Sequence, residues 1–412
     1  MQDLPTDVVE EFMLHLNGEI TERLRRARLL PCCLVSRSWR AIAQPLLFSR
    51  VVIDCRSRKE ELDPVYKTVS ENPHLRSYIQ ALWINNLGLP SLKTFEALGP
   101  LLPRLGQLRI HTCDYPESSA PALERVFLTM FASERLTSLS FLDVAIPVGL
   151  FSHCTALREL DLREATFHGM DDPVPTKTTH RPKLRLQSLC VFSTKMEHVE
   201  VMEWFLTSRC PFDWSDLRTL CISERSDLPR GHEVLCQFVE HVSPSLENLL
   251  FDPPLQCCLI PPTADIPTFP RLNLRIAALG VREELVEDQN PIPWMMDFLS
   301  RLPHPRTVQE IYFHGSMKHN VEAEEWGDSW MKLDALLTSQ RFDHVKVVDF
   351  FIYDGLHGEE LEELTKSMRE LLPNLFGQGK LLLSLPDFDL VPNDDRHWAA
   401  IKSGPWRYGV GY

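Results

Sequence analysis

The sequence predicts an α/β fold in which short parallel strands alternate with helices along an irregular solenoid, preceded by a three-helix module. Three observations carry that expectation. A short apolar pattern of the form L-x-x-L-x-L returns eleven times, at a mean spacing of about 30 residues. The segments between copies place apolar residues at helical spacing with charges opposite. Glycine is scarce, 17 of 412 residues, and proline abundant, 31 of 412, so elements break often and seldom need positive φ.

The chain opens with LPTDVVEEFMLHL, a short amphipathic helix by its spacing. Pro5 suits a first helical position, and Val8, Val9, Phe12, Met13 and Leu16 recur on one face. Asp7, Glu10 and Glu11 lie in the early turns, where the helix dipole favours negative charge. After a break at Asn17 and Gly18, helical spacing resumes through Ile20, Leu24, Ala27 and Leu30. The basic run Arg23, Arg25, Arg26 and Arg28 reads as a solvated helix face. Ser36 is positioned to cap a third helix with Val35, Trp39 and Ile42 inside, and Pro45 is expected to end it. Three helices of this size bury little alone, so the module needs a partner or the next domain.

The apolar copies follow in order. They are IQALWI (79–84), LGQLRI (105–110), LTSLSF (136–141), LRELDL (157–162), LQSLCV (186–191), LRTLCI (217–222) and LENLLF (246–251). FPRLNL (269–274), VQEIYF (308–313), VKVVDF (345–350) and KLLLSL (380–385) complete the series. Alternation within each copy signals a strand with one buried face. Helical patterns lie between them at 120–136, 196–209, 231–242 and 358–372. Units of this length bury their apolar side only against neighbours, which gives a parallel sheet on the concave face of a solenoid. Eleven strands are too many for an eight-stranded barrel, and no strand is followed by a glycine fingerprint. The residues between the inward positions face the concave side, among them Trp83, Arg109, Glu159, Asp161, Arg163, Tyr312, His314 and Asp349. These form the candidate binding surface, with Trp83 and Tyr312 foremost because exposed aromatics mark contacts. After Pro386 the pattern stops, and Trp398, Trp406, Tyr408 and Tyr412 make residues 386–412 a candidate capping tail.

The formal charge of −14 argues against nucleic-acid binding. It is unevenly spread: residues 1–60 hold 10 Lys or Arg against 8 Asp or Glu, and the remainder holds 33 against 49. Eleven scattered cysteines with no C-x-x-C read as free thiols in a reducing compartment, so neither a disulfide framework nor a zinc site is expected. No secretory leader or membrane-length apolar run is visible, which points to an intracellular protein of the cytoplasm or nucleus with no membrane contact. Phosphate loops, dinucleotide fingerprints, nucleophile elbows and zinc helices are all missing from the sequence. No catalytic residue, metal or cofactor is therefore expected; the expected work is recognition.

The N-terminal residues resemble an F-box of the fungal type. The resemblance rests on Leu4-Pro5, on Leu34-Val35-Ser36-Arg37-Ser38-Trp39 and on Pro45-Leu46-Leu47-Phe48, in that order and spacing. Segments 49–54 and 71–84 look like the junction such proteins make with their repeats. One departure is the long gap from Leu16 to Leu34. The repeats themselves resemble the leucine-rich half of F-box proteins. Their ladder position, three residues after each motif, departs from the usual Asn or Cys, reading Leu87, Cys113, Val144, Ala165, Thr194 and Arg225. What the resemblance implies is an F-box at 1–47, divergent repeats at 48–385 and a tail at 386–412. It also implies a non-catalytic substrate receptor of a cullin-type ubiquitin ligase, docked on a Skp-type adaptor. Leu4, Pro5, Val8, Val9 and Phe12 would contribute to that contact, and Leu34, Val35 and Trp39 would add contacts or supporting packing. A repeat scaffold whose helices merely cap the array is the alternative.

Overall fold

The computed structural model describes residues 5–17, 22–55, 62–87, 92–111, 120–131, 133–170, 183–193, 198–224, 229–252, 270–281, 290, 292–315, 326–352 and 359–384. The fold is mixed α/β, with parallel sheet and many helices. The chain divides into two compact units, 1–186 with 211–213, and 187–210 with 214–412.

The first unit begins with α1 (Thr6–Asn17), α2 (Glu22–Val35) and α3 (Arg37–Ser49). Val9, Met13, Leu29, Cys32, Cys33 and Ala43 form their shared core, with Leu16, Trp39, Ile42, Leu46 and Leu47 partly buried against it. Ser36 caps α3 as expected, its Oγ accepting from the Trp39 N–H at 3.2 Å. Pro45 does not end that helix, which runs four residues further. A proline deletes one N–H donor and crowds one carbonyl without forcing termination when packing holds both flanks. The inner stripe of α2 also differs from the expected one. Ala27 and Leu30 face solvent, and Arg25, Leu29, Cys32 and Cys33 point inward.

Arg25 is the largest correction in this module. Only 1% of it is exposed. Its guanidinium donates to the carbonyls of Leu46 (2.6 Å), Leu47 (3.3 Å) and Arg50 (3.1 Å) and to Asn17 Oδ1 (3.1 Å). Leu46 and Leu47 lie in the last turn of α3, whose final carbonyls have no helical N–H to accept from and whose dipole favours a cation, and Arg50 opens the strand that follows. One side chain thus ties the ends of α1 and α3 to the first strand.

From there strands and helices alternate. The first unit continues with β1 (Arg50–Asp54), α4 (Leu62–Glu71), β2 (Ala81–Asn85), α5 (Leu92–Leu98), β3 (Gln107–His111), α6 (Ala120–Phe131), β4 (Ser138–Leu142) and β5 (Glu159–Arg163). All five strands pair in parallel in sequence order. The second unit carries β6 (Ser188–Ser193), α7 (His198–Leu206), β7 (Thr219–Glu224), α8 (Pro229–Val242), β8 (Asn248–Asp252) and β9 (Ile276–Val281). It then continues through α9 (Ile292–Ser300), β10 (Glu310–Gly315), α10 (Gly327–Leu337), β11 (Val347–Ile352), α11 (Glu359–Leu371), α12 (Pro373–Gly377) and β12 (Leu381–Ser384). These seven strands also pair in parallel and in order. Ten of the eleven motif copies coincide with a strand. The exception is FPRLNL: the strand is β9, so the copy begins at Leu274, five residues later.

A backbone device repeats with the motif. The carbonyl of its second residue accepts two N–H groups from the following copy: Gln80 from Gly106 and Gln107, Gly106 from Thr137 and Ser138, and Thr137 from Arg158 and Glu159. In the second unit Gln187, Arg218, Glu247 and Arg275 do the same. Within the strands, the side chains alternate between two faces. Leu220, Ile222, Leu249, Phe251, Ile311, Phe313, Val348 and Phe350 are buried, and the helices pack on this face, as Phe251 does on Trp294 and Phe298 and Phe350 does on Trp330.

Where the first-unit copies end, the chain turns through left-handed residues two positions past the motif: Asn86 (φ 58°), Asp143 (φ 54°) and Glu164 (φ 50°). Asn and Asp tolerate that region best among residues with a Cβ. The next position drops back into the core, where Leu87 and Val144 are 1% and 2% exposed. This is the ladder position that lacks its polar residue, and an apolar side chain fills it.

Candidate functional site

Two surfaces carry the residues singled out by sequence. The first lies on the helical module. Val8 (46%), Phe12 (47%), Leu34 (75%) and Val35 (60%) are large apolar side chains left in solvent, and Pro5 is exposed beside them in sequence. Phe12 meets the half-buried Trp39, ring centroids 6.2 Å apart. Leu34 and Val35 end α2 directly before the cap of α3, whose first turn carries Trp39. Val9 is a correction: at 3% exposure it belongs to the internal core, because positions 9 and 13 share the inward stripe and 8 and 12 the outward one. Leu4 lies outside the described residues.

The second surface is the sheet face turned away from the helices. In the first unit Trp83, Arg109, Ser140 and Asp161 stand side by side across β2 to β5, as direct register partners. Arg50 and Arg109 both stack on the Trp83 ring, 4.7 and 5.3 Å from its centroid. Asp161 accepts from Ser140 Oγ at 3.0 Å and is gripped by both arms of Arg163, Nε and Nη2 each at 2.8 Å. Arg163 is only 1% exposed, so it holds Asp161 in place and offers no free surface. Trp83, Arg109, Glu159 and Asp161 are half-buried, which leaves part of each open to solvent.

The equivalent row in the second unit runs Cys190, Cys221, Leu250, Ala278, Tyr312, Asp349, Leu382. Here the expectation of exposed contacts fails. Tyr312 is 4% exposed and packs with Phe192, Leu250, Ile276 and Ala278, while Cys190 and Cys221 flank the cluster. Its hydroxyl donates to Glu310 Oε2 at 2.6 Å, and burial followed by that bond pushes its ionisation well up. Asp349 is 6% exposed; Oδ2 accepts from Ser384 Oγ at 2.8 Å, whereas Oδ1 has no hydrogen-bond partner. Burial pushes its carboxyl up from the usual range, partly offset by the Ser384 bonds. His314 lies in β10 opposite Phe351, and its side chain is outside the described residues. Hydrophobic runs in these strands signalled burial on one face only; the small residues Cys190, Cys221 and Ala278 on the other were the overlooked sign that this face, too, is apolar.

Among the described residues, no group of three or more His, Cys, Asp or Glu could hold a metal ion, and no helix is long and apolar enough to cross a membrane. Cys32, Cys33, Cys154 and Cys221 carry free thiols. Burial pushes the Cys154 thiol up to about 12 and raises Cys32 and Cys33 as well. Since the thiolate is the nucleophile, iodoacetamide at pH 8 is expected to label the half-buried Cys55 well before Cys154, which reacts only on unfolding. A mass-spectrometric time course checks this; labelling of Cys154 in the native chain at the rate of Cys55 refutes it.

No family model matches the chain, and no curated protein does. Among solved structures, a Bacteroides fragilis protein determined as a structural-genomics target is similar at 14% identity, with a TM-score of 0.31. The match covers 55% of this chain and 64% of that one, less than two thirds of its length.

Proposed function

We propose that the chain is a substrate receptor of a cullin-type ubiquitin ligase, its N-terminal helices acting as an F-box on a Skp-type adaptor and its leucine-rich-like repeats holding a client. The observation that carries this reading is the set Val8, Phe12, Leu34 and Val35, apolar side chains kept in solvent by a module whose own core is already filled. Such a set gains by burial against another protein. Ubiquitin transfer would then be promoted by holding the client near the enzyme, through proximity and orientation. The test is co-purification of the intact chain with a Skp-type adaptor and cullin, followed by trapping of ubiquitylated proteins that associate with it. Recovery of the chain without adaptor would overturn the reading.

The client surface in this reading is the first-unit face around Trp83. Its indole lies between two guanidiniums, so it is pre-positioned while still half open. Trp83→Ala is expected to weaken client capture roughly tenfold while adaptor capture is unchanged. Equal capture of client by wild type and variant, measured by quantitative pull-down, would remove Trp83 from the surface.

A second reading is a repeat scaffold uncoupled from ubiquitylation, whose helices only close the end of the array. The direct run of α3 into β1 and the Arg25 bond to the Arg50 carbonyl favour it. It predicts no adaptor in the co-purification.

A further inference from the structure

Two cysteines of the second unit are direct register partners: Cys221 on β7 lies opposite Cys190 on β6. Partners in parallel strands send their side chains to the same side of the sheet, and both cysteines pack against the cluster of Phe192, Leu250, Ile276, Ala278 and Tyr312. Both are half-buried, whereas Cys154, Cys210 and Cys236 are buried. Cys32 and Cys33 are neighbours in sequence but make no such pair, because consecutive helical residues do not face each other and both lie in the helical core.

Spacing decides what a cross-strand pair can hold. Neighbouring strands lie about 4.8 Å apart, so two sulfurs carried on matching rotamers stand about that far from each other. A disulfide needs Cβ atoms about 3.8 Å apart and would draw together positions that the ladder fixes on either side. Two metal–thiolate bonds of about 2.3 Å laid in line span about 4.6 Å and need almost no movement. We propose that Cys190 and Cys221 form a two-coordinate site for a soft monovalent cation, Cu(I). Thiolates select soft ions, and Cu(I) accepts two ligands in line, whereas zinc asks for four. On binding, each thiol gives up its proton to solvent and the ion takes both thiolates with no change of oxidation state. The sheet sets both ligands in place beforehand, so little chain freedom is lost, and the bound ion pins one repeat to the next. The site belongs to the second unit alone and stands whether or not the chain engages an adaptor.

Alkylation of the full-length chain, read peptide by peptide by mass spectrometry, tests it. One equivalent of Cu(I), added without oxygen as its acetonitrile complex, is expected to slow iodoacetamide labelling of Cys190 and Cys221 together by at least about tenfold and to leave Cys55 unchanged. In Cys221→Ser the protection of Cys190 is lost, and in Cys190→Ser that of Cys221, because one thiolate holds the ion far more weakly than two. Unchanged hydrogen exchange in α7 and α8 verifies that each variant folds, and Cys221→Ala, which adds no polar group to the apolar cluster, repeats the comparison. Labelling of the pair that Cu(I) does not slow overturns the proposal. So does a metal-free chain in which neither cysteine reacts, since the pair would then be closed to solvent. Protection of Cys190 that survives in Cys221→Ser assigns the ion to other ligands, and a Cys190–Cys221 disulfide in the chain as purified makes the pair a redox couple; either result sinks the site.

Discussion

A chain carrying Phe12→Lys and Leu34→Lys together is expected to lose capture of a Skp-type adaptor by roughly a hundredfold or more, while its melting temperature stays within a few degrees of wild type. Both halves of that expectation follow from exposure. Phe12 and Leu34 are 47% and 75% open, so most of the apolar surface they would bury in a complex is not used in the isolated chain. Lysine at position 34 also suits the last turn of α2, where the helix dipole favours a cation. Val9→Ala is the matched control. Its side chain lies in the internal core, and truncation should cost about 2 kcal/mol of stability with little direct effect on a surface contact. Surface plasmon resonance with purified adaptor, alongside urea melts, separates the two behaviours. Undiminished adaptor binding by the double lysine variant would show that the helices dock elsewhere or only close the array.

Arg25→Met is expected to destabilise the helical module by about 3 kcal/mol, the largest effect of any single charged residue in it. Methionine fills much of the same volume but donates nothing, so the carbonyls of Leu46, Leu47 and Arg50 and the Asn17 amide oxygen lose their shared donor. Three of these are carbonyls around the C-terminal turn of α3, where no helical N–H is available to replace it. The loss should appear first as faster hydrogen exchange in α1 and α3, ahead of the repeats, because the cross-link joins helix ends and not sheet strands. A variant with unchanged exchange in both helices would mean that water satisfies those acceptors equally well.

These two residues also show how far sequence could be read. Helical periodicity put Val8, Val9, Phe12, Met13 and Leu16 on one face and did not divide the outward pair Val8 and Phe12 from the inward pair Val9 and Met13, because that division depends on how the helix is turned against its core. Arg25 could not be placed that way, since charged residues default to solvent and only the position of a distant helix end makes a guanidinium worth burying. Strand positions were legible because the first motif residue is apolar and nearly closed in nine of the eleven copies, as with Leu105, Leu217 and Val345 at 1%, 0% and 1% exposure. FPRLNL misled because a Leu-Asn-Leu run imitates alternation, while the true strand, IAALGV, has alanines where large residues were sought. The face occupied by Tyr312 and Asp349 was misjudged for a related reason: alternation says which residues share a face, and says nothing about whether more chain lies over it.

The paired N–H groups that converge on the second motif carbonyl have a bearing on how such a chain can change over generations. Gln80, Gly106, Thr137, Gln187, Arg218, Glu247 and Arg275 hold that place with no chemistry in common, since only the main-chain oxygen is used. Almost any mutation of their side chains should be silent, whereas proline in place of Gln107, Ser138 or Asn248 would remove a donor. Because alignment of each copy to the next is enforced there, at the entry to the strand, the segments leaving the strands are free to gain or lose residues. Within each unit the connections that follow the strands can therefore change by insertion and deletion while the strands stay in phase, a division of labour between inheritance of shape and invention of contacts.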